Sequence, residues 1–479
     1  VFRPGLVLIL AILQGTLASP RYGESLRQDI EHGRYQEAKQ KLQQAIKKTP
    51  QEPLLWRQLG DVEVKLGDHA AAITAYRKAR SLALRDPDVD FNLGALYLEK
   101  GATVEALEMY KAGLALDPAN ESANRNYAFL LMKTGKNCEA VKPLERVKGL
   151  RAEDLPVRVS LIESFYKCGN RQAGERELAE FLELPSATRD NQIKLAKVLA
   201  EDHLLEAAEL TLQNVIRVFP DDPQAHAQLG ALFLGERRFE DAARHLGRAV
   251  QLDPTSPDYA MKLAQVLLKA KQYPTALEFL NAVAERFGML PEYQYKLAWA
   301  YYGLGQVPKA ATELERLARH HPELDRVHYS LGNCYLALGR LAEAESQYRQ
   351  AITLNAKRAA YHFALGQALR KQGNDRLGEA ILELQESLEL DPRNLDVHVE
   401  LAICYEQTGE FDKAERLLEA TVREQPNLVA AHRVLARVYY RQGKKERGDR
   451  ESGAVSRLDS EESRRRAQML GSTTPESFE

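Results

Sequence analysis

The sequence predicts an all-α solenoid of about thirteen helix–turn–helix repeats. Three observations lead there. Small residues recur every 34 positions from Gly60, interrupted only at Ile162: Gly94, Ala128, Ala196, Gly230, Ala264, Ala298, Gly332 and Gly366, then Ala402 after one step of 36, and Ala436. Alanine holds a second column twelve positions further on in eleven repeats, from Ala38 to Ala414. Glycine holds a third column in ten of 13, where its frequency of 29 in 479 would place fewer than one. A fixed period of this length marks a repeat array. Each repeat of such an array buries its core only against its neighbours, so the chain need not divide into ordinary globular domains.

With the first column numbered 8, the repeats run 19–52, 53–86, 87–120, 121–154, 155–188, 189–222, 223–256, 257–290, 291–324, 325–358, 359–394, 395–428 and 429–462. Apolar columns 4, 7, 8 and 11 have helical spacing, as do 20, 24 and 27, and they define two short amphipathic helices per repeat, A and B. Leucine fills column 7 in eleven repeats, from Leu59 to Leu435. Glycine at column 15 suits the left-handed residue that ends helix A. Proline at column 32, in seven repeats including Pro50, Pro118, Pro220 and Pro254, suits the link after helix B. Small residues at columns 8 and 20 let the two backbones approach closely, and a bulky one should cost roughly 1–3 kcal/mol.

Departures from the pattern are local. Glycine is lost from column 15 at His203, Arg237 and Lys271, where a change of curvature is expected. The stretch Glu183 to Asp190 is the most turn-rich link, and two extra residues between Gly373 and Ala380 read as a longer turn. Repeat 13 loses its apolar face near Ser452, and Asp459 with Glu462 would cap a final polar helix over 460–470. Residues 463–479 read as the end of that helix and a disordered tail.

The segments WRQLGDVEVKLGDHAAAITAYRKA from Trp56 and FNLGALYLEKGATVEALEMY from Phe91, set in this 34-residue frame, resemble the tetratricopeptide repeat. The resemblance covers residues 19 to about 450. It implies a right-handed α-solenoid whose concave face, lined chiefly by columns 2, 5, 9, 12 and 13 of helix A, binds peptides and proteins.

Ahead of the repeats, Arg3 precedes an apolar run from Leu6 to Leu13 and then small residues. Residues 1–18 have the layout of a secretory signal, with cleavage after Ala18. The protein is then expected to be exported, periplasmic or secreted; if the run is no signal, it is cytoplasmic. The run is too short for a comfortable membrane span. One glycosylation sequon, Asn120-Glu121-Ser122, is present.

Composition narrows function. There are 66 basic and 68 acidic residues, a formal charge of -2, where a nucleic-acid binder usually shows a basic excess. No zinc-protease, phosphate-loop or nucleophile-elbow motif is present, so neither a catalytic residue nor a cofactor is expected. Histidine recurs at column 4, at His226, His328, His362, His398 and His432. Neighbouring helices lie about 8–10 Å apart, too far for one metal to collect more than two rings at about 2.1 Å. Packed histidines are the simpler reading. Cys138 and Cys168 lie at the same turn end of adjacent repeats. Separate packed thiols are the simpler reading, with a disulfide open to an exported chain. Cys334 and Cys404 are two repeats apart, too far to bridge.

Column 5 reads Val159, Ile193, Ala227, Met261, Tyr295, Tyr329, Phe363 and Val399 in eight consecutive repeats. Trp299, Tyr302 and Asn333 join it at columns 9 and 12. Tyr and Trp are favoured anchors because they bury large area with few rotors. The groove candidates are therefore Met261, Tyr295, Trp299, Tyr302, Tyr329, Asn333 and Phe363. Asn92 and Asn126 at column 6 form a short asparagine ladder of the kind that sugar-transferring relatives use to grip a peptide backbone. The family's carboxylate clamp is not expected, because Asp61 would repel a carboxylate. The sequence thus points to a non-catalytic scaffold with protein or peptide partners and no small-molecule substrate. A recognition subunit for a separate enzyme such as a glycosyltransferase is the second reading, and an RNA-binding repeat the third.

Overall fold

A computed structural model describes residues 23–471, with side chains as far as residue 464. The signal read over 1–18 and the tail beyond 471 lie outside the described residues. The chain divides into two lobes, Val1–Glu236 and Arg237–Glu479. Among the described residues there are 26 α-helices, one 3-10 turn and no strand.

The first lobe holds helix pairs Gly23–Glu31 and Tyr35–Lys48, Pro53–Leu66 and His69–Ser81, Pro87–Glu99 and Thr103–Leu116, Glu121–Lys133 and Asn137–Leu150, Leu155–Lys167 and Arg171–Leu182, and Arg189–Glu201 and Leu205–Val218. It ends with Pro223–Gly235. The second lobe opens with Phe239–Leu252 and continues with Pro257–Lys269 and Tyr273–Phe287, Pro291–Gly303 and Val307–His320, and Asp325–Ala337 and Leu341–Leu354. Ala359–Gln372 and Leu377–Leu390, Leu395–Thr408 and Phe411–Glu424, and Val429–Arg441 and Lys445–Gly471 complete it.

Local chemistry starts and stops these helices. Pro53, Pro87, Pro223, Pro257 and Pro291 each occupy the first helical position, where a missing N–H costs nothing. The side chains of Asp222 and Asn120 accept from the amides of Ala225 at 2.8 Å and Ala123 at 3.0 Å, capping exposed donors. Asn120 of the sequon is therefore a helix cap. Nine column-15 glycines have φ between 71° and 80°, as at Gly67 and Gly409. His203, Arg237 and Lys271 keep the same left-handed backbone at φ 61°, 62° and 59°. The A-to-B turn is thus retained where glycine is lost. Gly373 differs at φ 141°, and the link after it, longer by two residues, contains the 3-10 turn Asn374–Arg376.

Packing follows the small-residue columns. All eleven column-20 alanines, Ala38 to Ala414, are at most 1% exposed. A Cβ added to Gly60 would come 2.5 Å from the ring of Tyr76 on helix B, so the tyrosine lies against bare backbone. Burying such a ring contributes on the order of 2 kcal/mol or more.

Two sets of side-chain bonds tie one repeat to the next. At column 4, the ring or amide N–H donates to the carbonyl six residues back, in the link that follows the preceding helix B. Trp56 Nε1 reaches Pro50 O at 2.9 Å, Asn124 Nδ2 reaches Pro118 O at 2.9 Å, and Gln294 Nε2 reaches Gly288 O at 3.1 Å. His226, His328, His362 and His432 do the same through Nε2 at 3.0 Å, to Pro220, Pro322, Ala356 and Pro426. His398 bonds Thr421 Oγ1 through Nδ1 instead. At column 11, the tyrosine hydroxyl meets a polar group twenty residues earlier: Tyr335 donates to Glu315 and Tyr439 to Glu419, while Tyr97 and Tyr405 accept from Arg77 and Gln385.

Cys138 and Cys168 are bonded as a disulfide, with Cα atoms 5.1 Å apart, and are not separate packed thiols. The antiparallel turn ends of repeats 4 and 5 bring the two sulfurs together. At the C-terminal end, Asp459 caps no new helix, because Lys445–Gly471 runs unbroken for 27 residues. The sequence there is polar but contains no proline, and its glycines Gly448 and Gly453 do not interrupt the helix.

Candidate functional site

Helix A of repeat 9, Pro291–Gly303, and helix A of repeat 10, Asp325–Ala337, both carry clustered aromatic residues. Tyr295, Trp299 and Tyr302 are spaced four and three residues apart, which puts them on one helical face. Tyr329 and Asn333, again four apart, stand on the neighbouring helix. Between the two faces lies a cavity of about 230 Å³ walled by these five residues. Ala298, Leu314, Ser330 and Cys334 complete its lining. Tyr302 stands 42% exposed, and the other four walls are half-buried.

The walls are held from behind. Tyr295 Oη and Ser330 Oγ share a hydrogen bond of 3.0 Å between the two helices. Tyr348, on helix B of repeat 10, donates its hydroxyl to Asn333 Oδ1 at 2.8 Å. Its ring centre is 6.0 Å from that of Tyr329, which also stacks on Tyr361 at 4.9 Å. Tyr361 in turn donates to Asp325 Oδ2 at 3.0 Å. Burial raises the Asp325 carboxyl, but the bonds from Asn355 and Tyr361 outweigh it and hold the group below its ordinary value. Burial also pushes the Cys334 thiol up to about 12, so it lines the cavity as a neutral group. No lining residue is charged. The exposed Arg326, one turn from Tyr329 and Ser330 on helix A of repeat 10, sets its guanidinium 5.0 Å from the centre of the Tyr295 ring.

Other nominated residues lie elsewhere. Met261 is 2% exposed and buried inside repeat 8, not in a groove. Val159, Ile193, Ala227 and Val399 are buried too, at 2%, 3%, 2% and 7%. Column 5 is therefore mostly a packing column, and only its large rings reach the surface. Phe363 is half-buried and packs on the core of the second lobe without lining the cavity. Asn92 and Asn126 are buried, and their amide groups donate to the hydroxyls of Tyr76 at 3.1 Å and Tyr110 at 3.3 Å. Those donors are spent on helix B of the preceding repeat and offer no ladder to a partner. The sequence did hold the signal, a tyrosine sixteen residues before each asparagine. Leu314 was missed because it comes from helix B, and only the folded pair places it.

Among the described residues no three His, Cys, Asp or Glu side chains are arranged to hold a metal ion. No helix there is long and apolar enough to cross a membrane.

Paired helices at a fixed period, notched by alanine and pinned by inter-repeat bonds, define an all-α helical-repeat protein. Two family models, each described as tetratricopeptide repeat, match it: one at residues 97–162, 233–300 and 369–438, the other at 29–85, 58–121, 295–359 and 342–394. The chain belongs to the tetratricopeptide-repeat family.

A curated human relative, Protein O-mannosyl-transferase TMTC1, is 25% identical over 178 residues, 36% of this chain. The match spans 20% of that protein, about a fifth of its length. Among solved structures, Naa15/Naa10 bound to HypK-THB is 15% identical and covers 93% of this chain and 78% of its own, with TM-score 0.44. Yeast Tom70 is 17% identical and covers 86% and 96%, at 0.41. A thermophilic TPR protein in Thermus thermophilus is 26% identical and covers 38% and 98%, at 0.34.

Proposed function

We propose that the chain is a non-catalytic scaffold that binds protein or peptide partners, and that one partner side chain seats between helices A of repeats 9 and 10. The observation that carries this is the cavity walled by Tyr295, Trp299, Tyr302, Tyr329 and Asn333. Its volume of about 230 Å³ falls below the roughly 300–1,000 Å³ of small-molecule pockets and suits a single side chain. Aromatic walls fixed by a second layer lose little freedom on binding, which favours affinity.

The test is selection of a displayed random-peptide library on the full-length chain, followed by the same selection on Trp299→Ala. Peptides that share one apolar or aromatic position and lose at least tenfold affinity for the variant, with its unfolding transition unchanged, support the reading. Selected peptides indifferent to Trp299 would overturn it.

The similarity to part of a human O-mannosyl-transferase favours a second reading, a recognition role for a separate sugar-transferring enzyme. Copurification of such activity through the repeats, abolished by Trp299→Ala, tests it. We also propose export. The apolar run at Leu6 to Leu13 supports this, as does the Cys138–Cys168 bridge, since disulfides persist in oxidising compartments. Titration of unfolded, unreduced protein from its native source should count two thiols, Cys334 and Cys404. Four would contradict it.

A further inference from the structure

The chemistry of the cavity goes further than a generic apolar anchor. Nine uncharged residues line it, so a charged side chain inside would lose hydration without gaining a counter-charge. The occupant is therefore neutral. The polar groups of the walls are unequally committed. Asn333 Oδ1 already accepts from Tyr348. Trp299 Nε1 and Asn333 Nδ2 have no hydrogen-bond partner among the described residues. Two of the wall residues thus carry side-chain N–H groups that no described neighbour uses, in a lining that is otherwise largely aromatic. A matching ligand supplies free carbonyl oxygens, and it need supply no N–H.

A helix does not fit, because its own ladder uses its carbonyls. A proline-bearing polyproline II segment does: its backbone makes no internal hydrogen bonds, proline has no N–H, and the ring stacks on aromatic faces. Such a segment is already ordered before it binds, so it loses little entropy. Arg326 sets a positive charge over the wall residue Tyr295 and favours a carboxylate beside the docked residue.

Building on the peptide-binding reading above, we infer that the repeat 9–10 cavity takes a proline held in a polyproline II segment with an acidic residue next to it, the proline packing on Trp299 and the acid pairing with Arg326.

The test uses the full-length chain and three blocked dodecapeptides on one Gly-Ser background. They carry Pro-Pro-Pro-Asp, Pro-Pro-Pro-Lys and Leu-Leu-Leu-Asp at the centre. Titration calorimetry gives the affinities. Expected is a preference of at least tenfold for Pro-Pro-Pro-Asp over each of the others. Trp299→Phe, which keeps a ring and removes the N–H, should weaken that peptide several-fold. Arg326→Glu, a surface change, should reverse the Asp-over-Lys preference. Equal or tighter binding of the leucine peptide, with its affinity still dependent on Trp299, would overturn the proline assignment and leave the general peptide-binding reading standing. An unaltered charge preference in Arg326→Glu would overturn the acidic-neighbour part. Failure of all three peptides to bind would also overturn the inference, while the library selection decides the broader reading separately.

Discussion

A Cβ built on Gly332 would lie 2.5 Å from Cε1 of Tyr348, the same residue whose hydroxyl holds Asn333 at the cavity wall. Core packing and site geometry are thus coupled through one ring. Gly332→Ala should displace that ring and cost about 1–3 kcal/mol by overpacking. Chemical denaturation of the variant checks this. A transition identical to the parent would show that Tyr348 can yield freely.

Lys271 sits at φ 59° in the left-handed region, which costs a residue with a side chain roughly 1–2 kcal/mol. Glycine avoids that strain and loses some back to unfolded-chain entropy. Lys271→Gly should therefore stabilise the fold by about 0.5–1 kcal/mol. A lower thermal midpoint would contradict the strain argument.

Asp61 offers a pH signature. Burial raises its carboxyl to about 6, although the Tyr76 hydroxyl at 2.7 Å and Arg57 pull it back down. The folded state therefore holds this proton more tightly than the unfolded chain, whose value is near 3.8. The group contributes most below about pH 4, and its contribution falls as pH rises through 6. A shift of about two units is worth at most on the order of 3 kcal/mol. Asp61→Asn removes the titrating proton and keeps an acceptor for Tyr76. Its stability relative to the parent should improve between pH 4 and pH 7.5. A pH-independent difference would count against the assignment.

Cys138 and Cys168 close a loop across a sequence separation of 30. In the chain-entropy account this stabilises by about 3–4 kcal/mol. Reduction, or Cys138→Ser, should act on repeats 4 and 5 first, because repeats feel chiefly their neighbours. Hydrogen exchange should accelerate in Asn137–Leu150 and Leu155–Lys167 before it does in distant helices. Uniform acceleration along the chain would argue against local stapling.

What the sequence disclosed depended on whether a property repeats. The Ala38-to-Ala414 column and the column-15 glycines recur, so the all-α repeat class was legible from them. The shared backbone of His203, Arg237 and Lys271 was not, since the turn imposes its conformation on whatever residue stands there. Column 5 misled at Met261 because periodicity shows that a side chain is apolar, not which neighbour covers it. Tyr295, Trp299 and Tyr302 could be grouped because helical spacing alone puts them on one face. Their layer of support, Tyr348 and Tyr361, comes from other helices and needed coordinates.

The bond from His328 to the carbonyl of Pro322 bears on any attempt to excise or transplant modules. A cassette cut at the start of helix A, before Asp325, would carry the donor away and strand its acceptor on the parent chain. Cassettes cut a few residues upstream, ahead of the column-32 position, keep donor and acceptor on one fragment. For grafting, then, the heritable block of this architecture begins in the loop before a helix pair, offset from the period that the eye reads along the chain.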